Sequence, residues 1–139
     1  MELIEKQRKK LQEIAQRYEL ELVLLFGSRV KGKLHKESDY DVAYISRQDL
    51  DLEEEGKLIT DLLLIIHPSD ERLINLVNVR KATALLLYDM TSRCRVLYER
   101  TPGIFARLQA YAFKKYVESK PLYEAKFLRL GRIIKSYDI

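Results

Sequence analysis

The chain has 139 residues, enough for one hydrophobic core and too few for two ordinary domains. Hydrophobic residues make up 47% and charged residues 33%, a balance that excludes disordered and membrane-embedded classes and predicts a soluble, self-folding protein. The net charge of +4 is uneven: residues 101–139 hold eight Lys and Arg against three Asp and Glu, so this stretch would attract nucleic acid, an acidic protein or nucleotide phosphates.

Between about Glu5 and Tyr18, Leu11, Ile14, Ala15 and Tyr18 recur at helical spacing among charges, which predicts an amphipathic first helix. Leu20 to Phe26 is a short apolar run stopping at Gly27, the pattern of a buried strand that ends in a turn. Gly32 and the polar stretch from Lys33 to Ser38 form a loop before a second strand, Tyr40 to Ile45. Asp51 is placed to cap a helix running towards Ile66, with Leu58, Leu62, Ile65 and Ile66 on one face and Pro68 ending it. A strand from Leu73 to Val79, a helix from Ala82 to Met90 and a strand from Cys94 to Tyr98 follow, closed by the Thr101-Pro102-Gly103 break. Beyond Pro102 the pattern is helical, with an interruption expected near Pro121. The expected organisation is a core over residues 1–100 and a basic helical extension over 101–139, packed on the core or on a partner, within a single domain.

The segment that carries chemistry is Phe26-Gly27-Ser28-Arg29-Val30-Lys31-Gly32, followed by Ser38-Asp39-Tyr40-Asp41. Gly27 lets backbone approach a ligand closely, and Ser28 can open a helix whose free N–H groups face an anion, so the turn suits a phosphate. Arg29 and Lys31 add positive charge beside it. Asp39 and Asp41 stand two apart on a strand, so both side chains leave one face while Tyr40 leaves the other. Paired carboxylates facing a phosphate site suit Mg²⁺, which binds through one or two acidic groups together with substrate phosphates. The reaction class is attack by an oxygen nucleophile on a nucleotide phosphate with pyrophosphate leaving. Each half alone is ordinary turn or loop chemistry; their combination is what points to a site.

Gly27-Ser28, ten intervening residues and Asp39-Tyr40-Asp41 together resemble the signature of minimal nucleotidyltransferases of the DNA polymerase β superfamily, and short chains of this kind resemble the MntA-type antitoxins paired with HEPN ribonuclease toxins of the HepT type. The resemblance is close over residues 20–46. It implies an α/β (α+β) fold with a small mixed sheet flanked by helices, Mg²⁺ held by Asp39 and Asp41, and ATP triphosphate held near Gly27, Ser28 and Arg29. In the antitoxin branch it implies transfer of AMP to a tyrosine of the toxin. A third carboxylate is expected on a later strand, and Asn75, within Ile74-Asn75-Leu76-Val77-Asn78, stands in that place. An amide is a poor general base. Three accounts follow: Asn75 suffices because positioning and electrostatics dominate phosphoryl transfer, Asp61 or Asp70 substitutes, or catalysis is lost and the chain acts by occupying surface.

Other residues read as structural. His35 is a solvated loop residue and His67 a helix-end residue; Glu53-Glu54-Glu55 is a solvated helix start helped by the dipole. Cys94 is a small buried side chain without an activating His, and as a lone cysteine in a chain without a secretory leader it fits a reducing cytoplasm. The basic extension interleaves Tyr111, Tyr116, Tyr123 and Tyr137 with Lys and Arg, a composition that serves single-stranded nucleic acid or protein docking. The added apolar surface of Phe127, Leu128, Leu130, Ile133 and Ile134 favours a protein partner.

Overall fold

A computed structural model describes residues 3–27, 40–66 and 74–137. Ser28, Arg29, Lys31, the loop with His35, Asp39, His67, Pro68, Asp70 and Leu73 lie outside the described residues. The elements are α1 (Glu5–Arg17), β1 (Leu20–Phe26), β2 (Tyr40–Ser46), α2 (Leu52–Ile66), β3 (Ile74–Asn78), α3 (Ala84–Ser92), β4 (Cys94–Glu99) and α4 (Ile104–Ser136), in the order anticipated.

The sheet order is β3-β2-β1-β4. β1 is antiparallel to both β2 and β4, and β2 is parallel to β3, so the sheet is mixed. Its central strand, β1, is apolar at nearly every position because helices cover both faces, the condition under which alternation disappears. Leu20, Val23, Leu25, Tyr40, Val42 and Tyr44 pack with α1 and α2 residues such as Leu11, Leu58 and Leu62. On the other face Leu22, Leu24, Phe26 and Ala43 pack with Leu87, Met90 and Ala112 of α3 and α4.

Local chemistry sets the element ends. The Asp51 carboxylate accepts from the Glu54 amide at 2.8 Å, and Glu54 Oε1 accepts from the Asp51 amide at 3.2 Å, a reciprocal cap that starts α2 as expected. β3 stops one residue early because Asn78 Oδ1 accepts from the Arg80 amide at 3.1 Å and turns the chain into a single 3-10 turn, Val79–Lys81. Thr83 Oγ1 accepts from the Leu86 amide at 3.2 Å, so α3 begins two residues later than the apolar pattern suggests. The Glu53-Glu54-Glu55 run is dispersed: Glu53 pairs with Lys57 at 3.5 Å, Glu54 serves the cap, and Glu55 accepts from Tyr44.

The expected interruption at Pro121 does not occur, and α4 runs through it for 33 residues. Proline removes one backbone donor and crowds the carbonyl four residues earlier, yet Val117 and Pro121 both lie on exposed helix, where water can serve the freed carbonyl.

Tyr44 is buried at the centre of β2 and its hydroxyl donates to Glu55 Oε2 at 2.9 Å. Burial first, and then the Glu55 carboxylate, push its pKa upwards from 10. The folded chain therefore keeps this proton at pH values where the unfolded chain has lost it, and this part of its stability declines as pH rises above about 10. Tyr44→Phe is expected to cost about 1 kcal/mol at neutral pH and to shrink that alkaline decline, as measured by urea unfolding at pH 7 and pH 11.

Candidate active site

β1 delivers Gly27 just past its C-terminal end with φ +84°, a left-handed backbone that favours glycine. A Cβ built there would collide with Asp41 Oδ2 and lie 3.1 Å from Asp41 Cγ. The absence of a side chain at 27 is thus what lets the carboxylate lie against the turn. Register explains the encounter, since Phe26 is the cross-strand partner of Asp41.

On its other side, β2 pairs in parallel with β3 and sets Asp41 opposite Asn75. The Asn75 amide Nδ2 donates to Asp41 Oδ1 at 3.1 Å. One carboxylate oxygen is held by the amide and the other faces the glycine turn. Asp41 is half-buried, whereas Tyr40 is buried on the opposite face among α1 and α2 residues, as strand alternation requires.

Gly27 and Asp41 therefore meet, and Asn75 stands where a third carboxylate was expected. Ser28, Arg29 and Asp39, the remaining members of the expected site, lie outside the described residues. Of the substitutes weighed for the third carboxylate, Asp61 is ruled out by position. It accepts from the Tyr18 hydroxyl at 2.7 Å and pairs with Arg17 at 3.1 Å, in the α1–α2 layer on the face away from Asp41.

The donors at the turn are hard oxygens, which suit Mg²⁺ better than a softer ion. Among the described residues no group of three or more His, Cys, Asp or Glu side chains could hold a metal. An ion at Asp41 would accordingly depend on a second acidic group and on substrate phosphates, the usual pattern for magnesium. Cys94 is half-buried with its thiol 3.9 Å from the Thr91 carbonyl, and burial pushes its pKa upwards, which opposes thiolate formation and fits the structural role assigned to it.

The same sheet face carries a feature the sequence did not disclose. Beyond Ile45, a cavity of about 400 Å³ is lined by Val79, Arg80, Leu87, Leu108, Tyr111 and Lys115, with the Lys115 ammonium 5.6 Å from the Tyr111 ring centre. Tyr116 stacks on Tyr88 of α3 with ring centres 4.0 Å apart. Of the tyrosines interleaved with basic residues, Tyr116 is thereby engaged within the chain, while Tyr111 stays half exposed. Among the described residues no helix is long and apolar enough to cross a membrane.

The chain is similar to a chain of a toxin–antitoxin crystal structure with AMP-PNP, at 22% identity and a TM-score of 0.71, covering 88% of this chain and 97% of that one. It is also similar to a chain of the toxin–antitoxin MntA-HepT, at 18% identity and a TM-score of 0.68, covering 91% and 98%. A third is from a tri-AMPylated Shewanella oneidensis HEPN toxin in complex with MNT antitoxin, at 20% identity and a TM-score of 0.67, covering 90% and 96%. These likenesses establish a shared fold. Comparison with curated protein sequences gave no match. The family described as Polymerase beta, Nucleotidyltransferase matches residues 9–102, a span that contains the Gly27 turn and the Asp41–Asn75 pair, and the chain belongs to that family.

Proposed function

We propose that this chain is a magnesium-dependent nucleotidyltransferase antitoxin that transfers AMP from ATP to a tyrosine hydroxyl of a cognate HEPN toxin. The observation that carries the reading is the Asp41 carboxylate lying against the Gly27 turn, one oxygen tied to Asn75. Membership of the nucleotidyltransferase family supports the reaction class, and similarity to toxin–antitoxin complexes, one with AMP-PNP and one with a tri-AMPylated HEPN toxin, supports the substrate and partner.

In this reading Gly27, Ser28 and Arg29 receive the triphosphate, and Asp39 with Asp41 hold the cation. When bound, magnesium neutralises charge on the phosphates and on the developing transition state. The phenolic oxygen of the acceptor forms a bond to the α-phosphorus as the bond to the pyrophosphate oxygen breaks. Asn75 cannot take the phenolic proton, so that proton passes to an aspartate carboxylate or to solvent. The role of Asn75 is to fix Asp41, in keeping with a reaction that rests on positioning.

The neutral side chain at 75 also favours a second reading, in which the chain silences its toxin by occupying surface alone. Mixing the purified chain, Mg²⁺ and labelled ATP with a purified HEPN toxin, the product of an adjacent reading frame where that frame encodes one, followed by intact mass measurement, separates the two. Added AMP on the toxin is expected; a tight complex without added mass would establish passive binding.

Asn75→Asp tests the cation site without reference to activity. The new carboxylate would stand about where Nδ2 now lies 3.1 Å from Asp41 Oδ1, and repulsion should lower the melting temperature by roughly 3–8 °C in chelator. Millimolar Mg²⁺ is expected to restore most of the loss in a calorimetric scan. A variant indifferent to Mg²⁺ would remove the cation from Asp41.

A further inference from the structure

The cavity beyond Ile45 lies on the side of the site from which an acceptor must approach. Gly27 just past β1, Asp41 on β2 and Asn75 on β3 follow one another across the sheet. In a phosphoryl displacement the attacking and leaving oxygens stand roughly in line through the phosphorus. With the triphosphate on the Gly27 turn, pyrophosphate departs on the β1 side, so the incoming hydroxyl arrives over β3. The acceptor therefore lies across Asn75 and the surface next to it.

That surface leads into the cavity. Asp41, Ala43 and Ile45 leave β2 on one face, and the four-residue step from Asp41 to Ile45 spans about 13 Å of strand. On β3, Val77 follows Asn75 on this face and is half-buried, and Val79 beyond it forms part of the cavity wall. Val79, Leu87 and Leu108 make the hollow of about 400 Å³ apolar, while Arg80, Tyr111 and Lys115 keep contact with solvent at its edge. No carboxylate is among the residues lining it. Arg80 pairs with Asp49 at 3.9 Å and Lys115 with Glu118 at 3.8 Å, exposed contacts of a length that adds little, so both cations retain their attraction for a further anion.

An apolar hollow edged by two cations and an aromatic ring suits a large apolar side chain with a carboxylate beside it. The base of the donor nucleotide would leave both cations without an anion, because its phosphates are held at Gly27. A second copy of this chain, with its net charge of +4, would bring like charge to the edge. We infer that the cavity is the anchoring pocket for the acceptor, in which the toxin seats a large apolar side chain flanked by Asp or Glu, about 13 Å from the tyrosine that receives AMP. This rests on the reading above in which the Gly27 turn receives the triphosphate. The pocket chooses the acceptor and holds its tyrosine in line, and takes no part in the bond exchange.

The test measures AMP transfer by the full chain to a purified HEPN toxin, with toxin and ATP varied separately. Ala84→Phe fills the cavity from α3, and Arg80→Glu/Lys115→Glu reverses the charge of its edge. Each is expected to raise the KM for toxin roughly tenfold or more. The KM for ATP and the kcat at saturating toxin should stay at wild-type values, because a contact away from the reacting atoms is made equally in ground and transition states. Added salt should shrink the effect of the charge reversal and leave that of Ala84→Phe in place. Thermal unfolding near the wild-type temperature checks that each variant folds. An unchanged KM for toxin in both variants would overturn the inference and leave the proposed reaction standing. A raised KM for ATP would overturn it by giving the cavity to the donor's base, and a wild-type homodimer that Ala84→Phe dissolves would overturn it in favour of a second copy. Absence of any transfer by the wild-type chain would overturn the reaction, and the inference with it.

Discussion

Asp41→Asn is expected to reduce AMP transfer by about a thousandfold, equivalent to about 4 kcal/mol of transition-state stabilisation lost with the cation's anchor. The substituted amide is nearly isosteric and keeps an oxygen that can accept from Asn75 Nδ2, so the hydrogen bond now measured at 3.1 Å has a replacement and the fold should survive. Thermal unfolding within a few degrees of wild type, alongside loss of label on the toxin, would assign the defect to charge. Undiminished transfer would move the chemistry away from the β1–β2 turn. Because the fold is retained, complex formation with the toxin should persist, which makes the variant a trap for the unmodified complex.

Gly27→Ala should be nearly as damaging, by a different route. A left-handed backbone costs a residue with a Cβ about 1–2 kcal/mol, and the methyl would also meet the Asp41 carboxylate. Relief requires Asp41 to move, and a displacement of about 1 Å at a reacting centre costs on the order of a hundredfold in rate. Urea unfolding and the transfer assay should therefore both fall. Gly56→Ala is the matched control: Gly56 lies within α2 with nothing within 4 Å of its would-be Cβ. There the same change should raise stability by about 0.5–1 kcal/mol through helix propensity, with transfer unchanged.

The elements legible in the sequence are those whose signal is local. The run from Leu20 to Phe26 gave β1 its bounds because a strand covered on both faces has no polar position to blur them. Asp51 announced α2 as its cap, and the reciprocal bonds with Glu54 that the structure adds to it span only four residues. The start of α3 differs from the apolar pattern, which Ala82 continues, because the deciding bond is donated by the Leu86 amide to Thr83. Pro121 does not break α4, since the penalty it carries in buried helix is softened where water reaches the carbonyls. At the site, Gly27 and Asp41 were readable as a pair. That Asn75 would lie beside Asp41 followed from resemblance, for a contact 34 residues apart depends on a parallel strand pair that no local pattern specifies.

The bond ladder joining β2 to β1 has a final consequence for how the chain avoids misfolding. Because strand side chains alternate, a slip of one residue in β2 would turn Asp41 inward among Leu11, Leu58 and Leu62, and would push Tyr40, Val42 and Tyr44 out of that layer. An ionised carboxylate stranded in such surroundings costs several kcal/mol, so the acid suited to the reaction also penalises the wrong alignment. Replacing Asp41 with an apolar residue would remove a guard on strand alignment as well as the charge proposed to hold the cation.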